Sequence, residues 1–260
     1  MTLAWTILLI AAAVAGAHLA INILPHLIPS AGPGGHSRDG LVIFVEPTRW
    51  LGVRWGYQPL RRALAGCGFG GKITYWPWQR WWQGTLVLPA MRSDRLHHVA
   101  AVRLARRLTM LKRACPDRPI WLVGFSAGAR VAVEALSLLD PACRIEAAAL
   151  VGAAISPRAD LSGARASCSQ LRVACSWGDW LLLGLGTTLV GTADGRRGPA
   201  MGLIGACDLP LGNVPSRFRD QWFCWGHFGS CHAATVRNIW PRFVRDGRNR
   251  KRPRSSSSFC

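Results

Sequence analysis

Residues 120–128 read Ile-Trp-Leu-Val-Gly-Phe-Ser-Ala-Gly, and no other stretch of the chain narrows the choice of fold as much. An apolar run of strand length passes through a turn bracketed by Gly124 and Gly128. From Ala127 to Leu139 the apolar positions Ala129, Ala132, Val133 and Leu136 then share one helical face, and Pro141 follows. A strand that turns so abruptly into an amphipathic helix lays that helix back over its own sheet. Ser126 stands at the apex. Bulk at Gly124 or Gly128 would collide with neighbouring backbone, and the helix N-terminus turns its N–H groups toward any charge developing above the serine. An ordinary strand-to-helix turn, with glycines that only permit close packing, is the plainer reading of the same residues.

The remaining apolar runs extend the pattern. Leu41–Val45, Ile73–Trp76, Ala147–Val151 and Leu171–Cys175 have strand length, and helical stretches lie between them. One such stretch opens at Pro59 and runs through Leu64. Another starts with Asp94 as its cap and runs through Lys112, with Ala100, Leu104, Leu108 and Leu111 on one face. Apolar strands alternating with helices predict an α/β fold, a mostly parallel sheet with helices on both faces. At 260 residues and 50% hydrophobic, the chain can bury the core of one domain with appendages.

The appendages lie at the two ends. Thr2 to Leu24 carries no Asp, Glu, Lys or Arg, and as a helix it spans about 34 Å, enough for a hydrocarbon core of roughly 30 Å. An N-terminal transmembrane anchor over residues 1–24 is the first reading. A cleaved signal segment is the second, because Ala15-Gly16-Ala17 resembles a small-residue cleavage site. No basic residue precedes the apolar run, and the run continues past that site. Residues 25–40, with Pro25, Pro29 and Ser30-Ala-Gly-Pro-Gly-Gly35, read as a linker into a domain at 41–246. Residues 247–260 form a basic, serine-rich tail, disordered by composition, that could also meet anionic lipid.

The net charge of +19 comes mostly from arginine spread along the whole chain; the three lysines are Lys72, Lys112 and Lys251. Diffuse charge suits an anionic membrane surface or reflects bias alone. A nucleic-acid binder would gather it on one face, and no helix-turn-helix, zinc-finger or RNA-binding signature is present. The basic load lies C-terminal to the apolar run, so the positive-inside tendency puts the domain on the cytoplasmic face; Arg38 is the one basic residue within 20 positions of the run. Nine cysteines are an odd number without a Cys-x-x-Cys pair. Cys143, Cys175 and Cys207 border apolar runs, where a thiol packs as a small hydrophobe.

At the Gly-Phe-Ser-Ala-Gly turn the chain resembles the α/β-hydrolase superfamily of esterases and lipases, over roughly residues 41–240 by strand order. The resemblance implies a triad in the order serine, acid, histidine. Ser126 is then the nucleophile. Asp179, in Ser-Trp-Gly-Asp-Trp after the strand Leu171–Cys175, is the expected acid, with Asp194 and Asp208 as later candidates and a helix cap as its plainer role. Of seven histidines only His227 and His232 follow Ser126. His227 is preferred as the base because Gly226 and Gly229 leave it unobstructed on a loop, whereas His232 opens a helical stretch, Ala233 to Trp240.

The Ala127 N–H is the first expected oxyanion donor. Many members place a His-Gly pair after the first strand, but here the chain reads Glu46-Pro47-Thr48, and Pro47 has no N–H. The Thr48 N–H is the expected second donor, with Arg49 next. Trp76, Trp78, Trp81 and Trp82, with Arg80 among them, read as an acyl pocket, an interfacial belt or packed aromatics. Cys224, His227, Cys231 and His232 are too closely spaced to close a tetrahedral zinc site. No metal or cofactor is expected. The implied activity is hydrolysis of small-molecule or lipid esters by a membrane-tethered serine hydrolase. The alternative is a catalytically silent domain of the same fold serving as a membrane-surface scaffold.

Overall fold

In the computed structural model, which describes residues 3–32, 35–36, 39–79, 87–207, 216–217 and 226–229, the apolar runs pair as strands. They are β1 (Leu41–Val45), β2 (Lys72–Trp76), β3 (Ile120–Phe125), β4 (Ala147–Val151) and β5 (Leu171–Cys175), joined by a short β6 (Ser216–Arg217). All pairings are parallel, in the order β2-β1-β3-β4-β5-β6. Strands buried on both sides need no polar alternation, which is why they read as continuous apolar runs. β3 extends two residues beyond the predicted Val123, because Gly124 and Phe125 still pair with Val45 and Val151.

Alternate side chains feed two cores. Leu41, Ile43, Val45, Ile120 and Leu122 pack against α4 (Asp94–Ala114) and α5 (Gly128–Ser137). Val42, Phe44, Trp121, Val123 and Phe125 pack against Tyr57, Leu60, Ala63 and Leu64 of α2 (Tyr57–Gly66). Helices therefore cover both faces, an arrangement that fits an α/β-hydrolase-like fold. The shorter helices are α3 (Val87–Arg92), α6 (Ser162–Ala166), α7 (Thr187–Val190), α8 (Met201–Ile204) and the single turn α9 (Gly226–Gly229). Ser93, not Asp94, caps α4: its Oγ accepts the Leu96 N–H at 3.3 Å. Asp94 instead sits in the first turn and pairs with Arg130 at 2.8 Å. Cys143 and Cys175 are buried as expected, while Cys207 is exposed, since α8 ends before it and leaves it on a turn.

The N-terminal helix α1 (Leu3–Leu27) is long and apolar enough to cross a bilayer, with mean hydropathy 2.3 over its best window. Its apolar side chains from Leu3 to Val14 are exposed. The helix runs on through Pro25 to Leu27, three residues into the stretch expected as linker, because its last turns pack on the domain. Asn22 and His26 are buried there, and Ile23 joins the α2-side core. Beyond it, Ser30 is tied to Gln58 by its N–H and Oγ at 3.1 Å each. The basic tail 247–260 lies outside the described residues.

The chain leaves β1 for β2 on one side and returns to β3 on the other. Strand order therefore reverses between β1 and β3. In open parallel sheets the crevice beyond the carboxyl ends of the strands at such a reversal is where ligands bind. Glu46 to Arg49 leave β1 at that point, and Ser126 leaves β3 beside them.

Candidate active site

The turn at Ser126 carries conformational strain. Its φ is 53°, in the left-handed region that a residue with a Cβ enters at a cost of roughly 1–2 kcal/mol. The surrounding backbone holds it there. The Ser126 N–H donates to the Val151 carbonyl at 3.0 Å, and its own carbonyl accepts the N–H groups of Ala129 and Ala154, both at 3.1 Å. Both glycines are required sterically. A Cβ at Gly124 would lie 2.8 Å from Ala129 Cα, and one at Gly128 would run into the carbonyl oxygens of Val45 and Glu46. The second clash is informative: the start of α5 rides directly on the backbone that leaves β1.

Asp179 lies at the end of a 3-10 turn, Trp177–Asp179, directly after β5, and is 2% exposed. It makes no side-chain cap to the π-helical segment Trp180–Gly186 that follows. His227 sits on α9, a single helical turn where the sequence suggested a loop. Gly226 begins that turn at φ 82°, and its N–H reaches Ser176 Oγ at 3.4 Å. A Cβ at Gly226 would stand 3.2 Å from the Gly178 carbonyl, so glycine lets the His227 turn sit against the Asp179 turn.

The three side chains meet. His227 Nδ1 is 2.6 Å from Asp179 Oδ2, and His227 Nε2 is 3.0 Å from Ser126 Oγ. An ionised carboxylate only accepts, so the Nδ1–H donates to Asp179 and leaves the Nε2 lone pair for the Ser126 hydroxyl. The Phe125 ring stacks under the imidazole with centroids 5.0 Å apart, and Phe228 meets it edge-on at 5.7 Å. Among the other acids, Asp194 is committed elsewhere, accepting the Ser156 N–H at 2.8 Å and the Thr192 hydroxyl. Asp208, His232, Cys224 and Cys231 lie outside the described residues, as do Arg80, Trp81 and Trp82.

The β1 side of the crevice is polar and buried. Glu46, fully buried, accepts the Trp78 N–H at 3.1 Å and the Gln79 N–H at 3.4 Å through Oε1. Gln79 Oε1 in turn accepts the Arg49 N–H at 2.8 Å, which removes Arg49 as a ready oxyanion donor. Thr48 is buried and its Oγ1 has no hydrogen-bond partner among the described residues; the same holds for Glu46 Oε2. Burial raises the Glu46 carboxyl from an ordinary 4.5 to about 7, against the lowering pull of its backbone donors and of Arg49 and Arg54. Trp78 belongs to the packed core: it stacks on His97 at 4.6 Å and donates its Nε1–H to the Glu46 carbonyl at 2.7 Å. Burial, helped by the Arg130 charge, lowers His97 from 6.5 to about 4.

Sequence reading missed Phe125, Phe228 and His26 as neighbours of this site. Phe125 could have been found, since it lies inside the pentapeptide next to the serine. His26, read as a linker residue, gives no local signal.

No protein-family model matches the chain, and no curated protein matches its sequence. Among solved structures it is similar to a Trichoderma reesei cutinase in complex with a C11Y4 phosphonate inhibitor. The TM-score is 0.44 at 18% identity, over 90% of this chain and 89% of that one. It is also similar to a cutinase-like protein from Cryptococcus sp., with TM-score 0.41 at 14% identity over 85% of this chain and 98% of that one. The functional reading rests on the geometry of the site itself.

Proposed function

We propose that the chain is a membrane-tethered serine hydrolase acting on carboxylic esters, of small molecules or lipids, through Ser126, His227 and Asp179. The observation that carries this reading is the continuous hydrogen-bond line from Ser126 Oγ through both imidazole nitrogens to Asp179 Oδ2. A serine hydroxyl is a poor nucleophile at neutral pH and needs such a base. Ser126 Oγ attacks the ester carbonyl while His227 Nε2 takes its proton. Asp179 keeps the imidazole in one tautomer and stabilises the imidazolium. The Ala127 and Thr48 N–H groups receive the oxyanion, and collapse expels the alcohol, protonated by His227. Water, activated by the same imidazole, then releases the acid and restores Ser126.

Tethering is proposed from α1, whose apolar surface is exposed along most of its length among the described residues. Residues 1–24 would anchor a hydrolase domain at 41–246, with the domain on the cytoplasmic face. The tail 247–260 carries charge suited to anionic lipid.

The test is labelling of the full chain in membranes by a fluorophosphonate probe. Wild type is expected to label and Ser126→Ala to stay dark with an unchanged melting temperature. Equal labelling of the two would remove Ser126 from the role.

A further inference from the structure

The turn that carries His227 is four residues long, and so short a helix cannot fix its own orientation. What holds it comes partly from the opposite end of the chain. His26, in the last turn of α1, is 3% exposed. Its Nδ1 accepts the Gly56 N–H at 2.7 Å, just before α2 begins. That bond requires the Nδ1 lone pair, so the ring proton sits on Nε2, and the Nε2–H donates to the Phe228 carbonyl at 3.2 Å. The same imidazole contacts the rings of Trp55 and Phe228 at 5.4 and 5.6 Å, and those two rings meet at 4.8 Å. Phe228 is the residue after His227 and touches its imidazole edge-on.

We propose that His26 is a positioning residue for His227: it grips the Phe228 carbonyl, fixes the rotation of α9, and so makes α1 part of the working site. The proposal rests on the hydrolase reading above. Its two bonds have separate jobs. The Nδ1 bond seats the end of α1 on α2, which concerns stability. The Nε2 bond orients the histidine turn, which concerns chemistry. A displacement of about 1 Å in a reacting group costs on the order of a hundredfold in rate.

The separation can be tested because asparagine places its Oδ1 where Nδ1 stands, and glutamine places its Nε2 where the ring Nε2 stands. Full-length protein in membranes is assayed with a short-chain p-nitrophenyl ester, measuring kcat, KM and melting temperature. His26→Ala is expected to lose about tenfold to a hundredfold in kcat with little change in KM. His26→Gln is expected to recover most of that kcat, and His26→Asn to recover melting temperature without turnover. His98→Ala, an exposed histidine paired with Glu134, serves as the unaffected control. Equal rescue by Asn and Gln, or a His26→Ala variant that loses only stability, would overturn the proposal. If wild type itself neither turns over ester nor labels with the probe, the hydrolase reading fails separately. The positioning is then read from the low-field His227 Nδ1–H resonance, which His26→Ala should shift and His26→Gln restore. An unmoved resonance would overturn it.

Discussion

The two backbone segments that meet at the mouth of the crevice, the turn at Ser126 and the stretch Glu46 to Arg49, are held in opposite ways. The Ser126 turn stores its cost in the backbone: a left-handed serine, two glycines pressed against their neighbours, and main-chain groups that are bonded. The β1 stretch stores its cost in side chains. Glu46 Oε2, Thr48 Oγ1 and Arg49 Nε, with Gln79 Nε2 beside them, are buried without hydrogen-bond partners among the described residues. Each such atom costs roughly 1–3 kcal/mol. Steric strain fixes where the serine stands, and desolvated polarity surrounds the place where a charge would develop beside it. Both kinds of cost concentrate at functional sites, for different reasons.

The comparison breaks most severely at Gly128, where the two segments touch. Gly128→Ala drives a methyl into the Val45 and Glu46 carbonyls and must push the β1 stretch away from Ala127. The expected outcome is a loss of about 2–3 kcal/mol in stability and roughly a hundredfold in ester turnover. Gly124→Ala meets Ala129 and Ala132 of α5 instead and should cost similar stability with a smaller loss of turnover. Equal turnover losses would mean that the β1 stretch contributes nothing of its own.

Titration probes the β1 stretch and the Trp78–His97 stack beside it. Glu46 keeps its proton in the fold up to about pH 7 but loses it near 4.5 when unfolded, so its contribution falls as pH rises across that window. His97, held near 4 in the fold, picks up its proton near 6.5 only when unfolded, so its contribution rises with pH between about 4 and 6.5. The two slopes oppose each other in the wild-type chain. In Glu46→Gln, stability measured by denaturant unfolding should rise from pH 4.5 to 6.5 and exceed wild type at pH 8 by on the order of 3 kcal/mol. In His97→Phe, which keeps the stack on Trp78, it should fall from pH 4.5 to 7. Two flat profiles would refute both assignments.

How far the sequence reaches follows the same division. Glycine spacing and apolar runs report sterics, so the turn at Ser126 and strands β1, β4 and β5 are legible to the residue. Asp179 could be singled out because the strand before it, β5, was readable, whereas β6 was not read and His227 was chosen from chain order and its flanking glycines alone. Long-range polar contacts leave no such trace. His26 and Phe228 are 202 positions apart, and nothing near His26 marks it as anything but a residue between a helix and a proline-rich stretch. The choice of Asp94 over Ser93 as cap failed for a different reason: two competent capping residues stood side by side, and in the fold Ser93 accepts the Leu96 N–H while Asp94 pairs with Arg130. The π-helical segment Trp180–Gly186 has no local signal, since its leucines suit an α-helix equally well.

Thr48 offers the smallest and sharpest test. Its hydroxyl is buried and has no partner among the described residues, while the role assigned to this residue belongs to its backbone N–H. Valine has the same shape, keeps the N–H and removes the unpaired oxygen. If the N–H is the donor, Thr48→Val should gain about 1 kcal/mol, a rise of a few degrees in melting temperature, with turnover within about threefold of wild type. If turnover instead falls about a hundredfold while the protein still gains stability, the hydroxyl receives the oxyanion, because one lost donor costs that much. The unpaired atom would then be a group left without a partner in the resting enzyme so that it has one in the transition state. Loss of stability together with turnover would mean that the hydroxyl is paired in solution, and the contrast between the strained turn and the polar stretch would narrow to Glu46, Arg49 and Gln79.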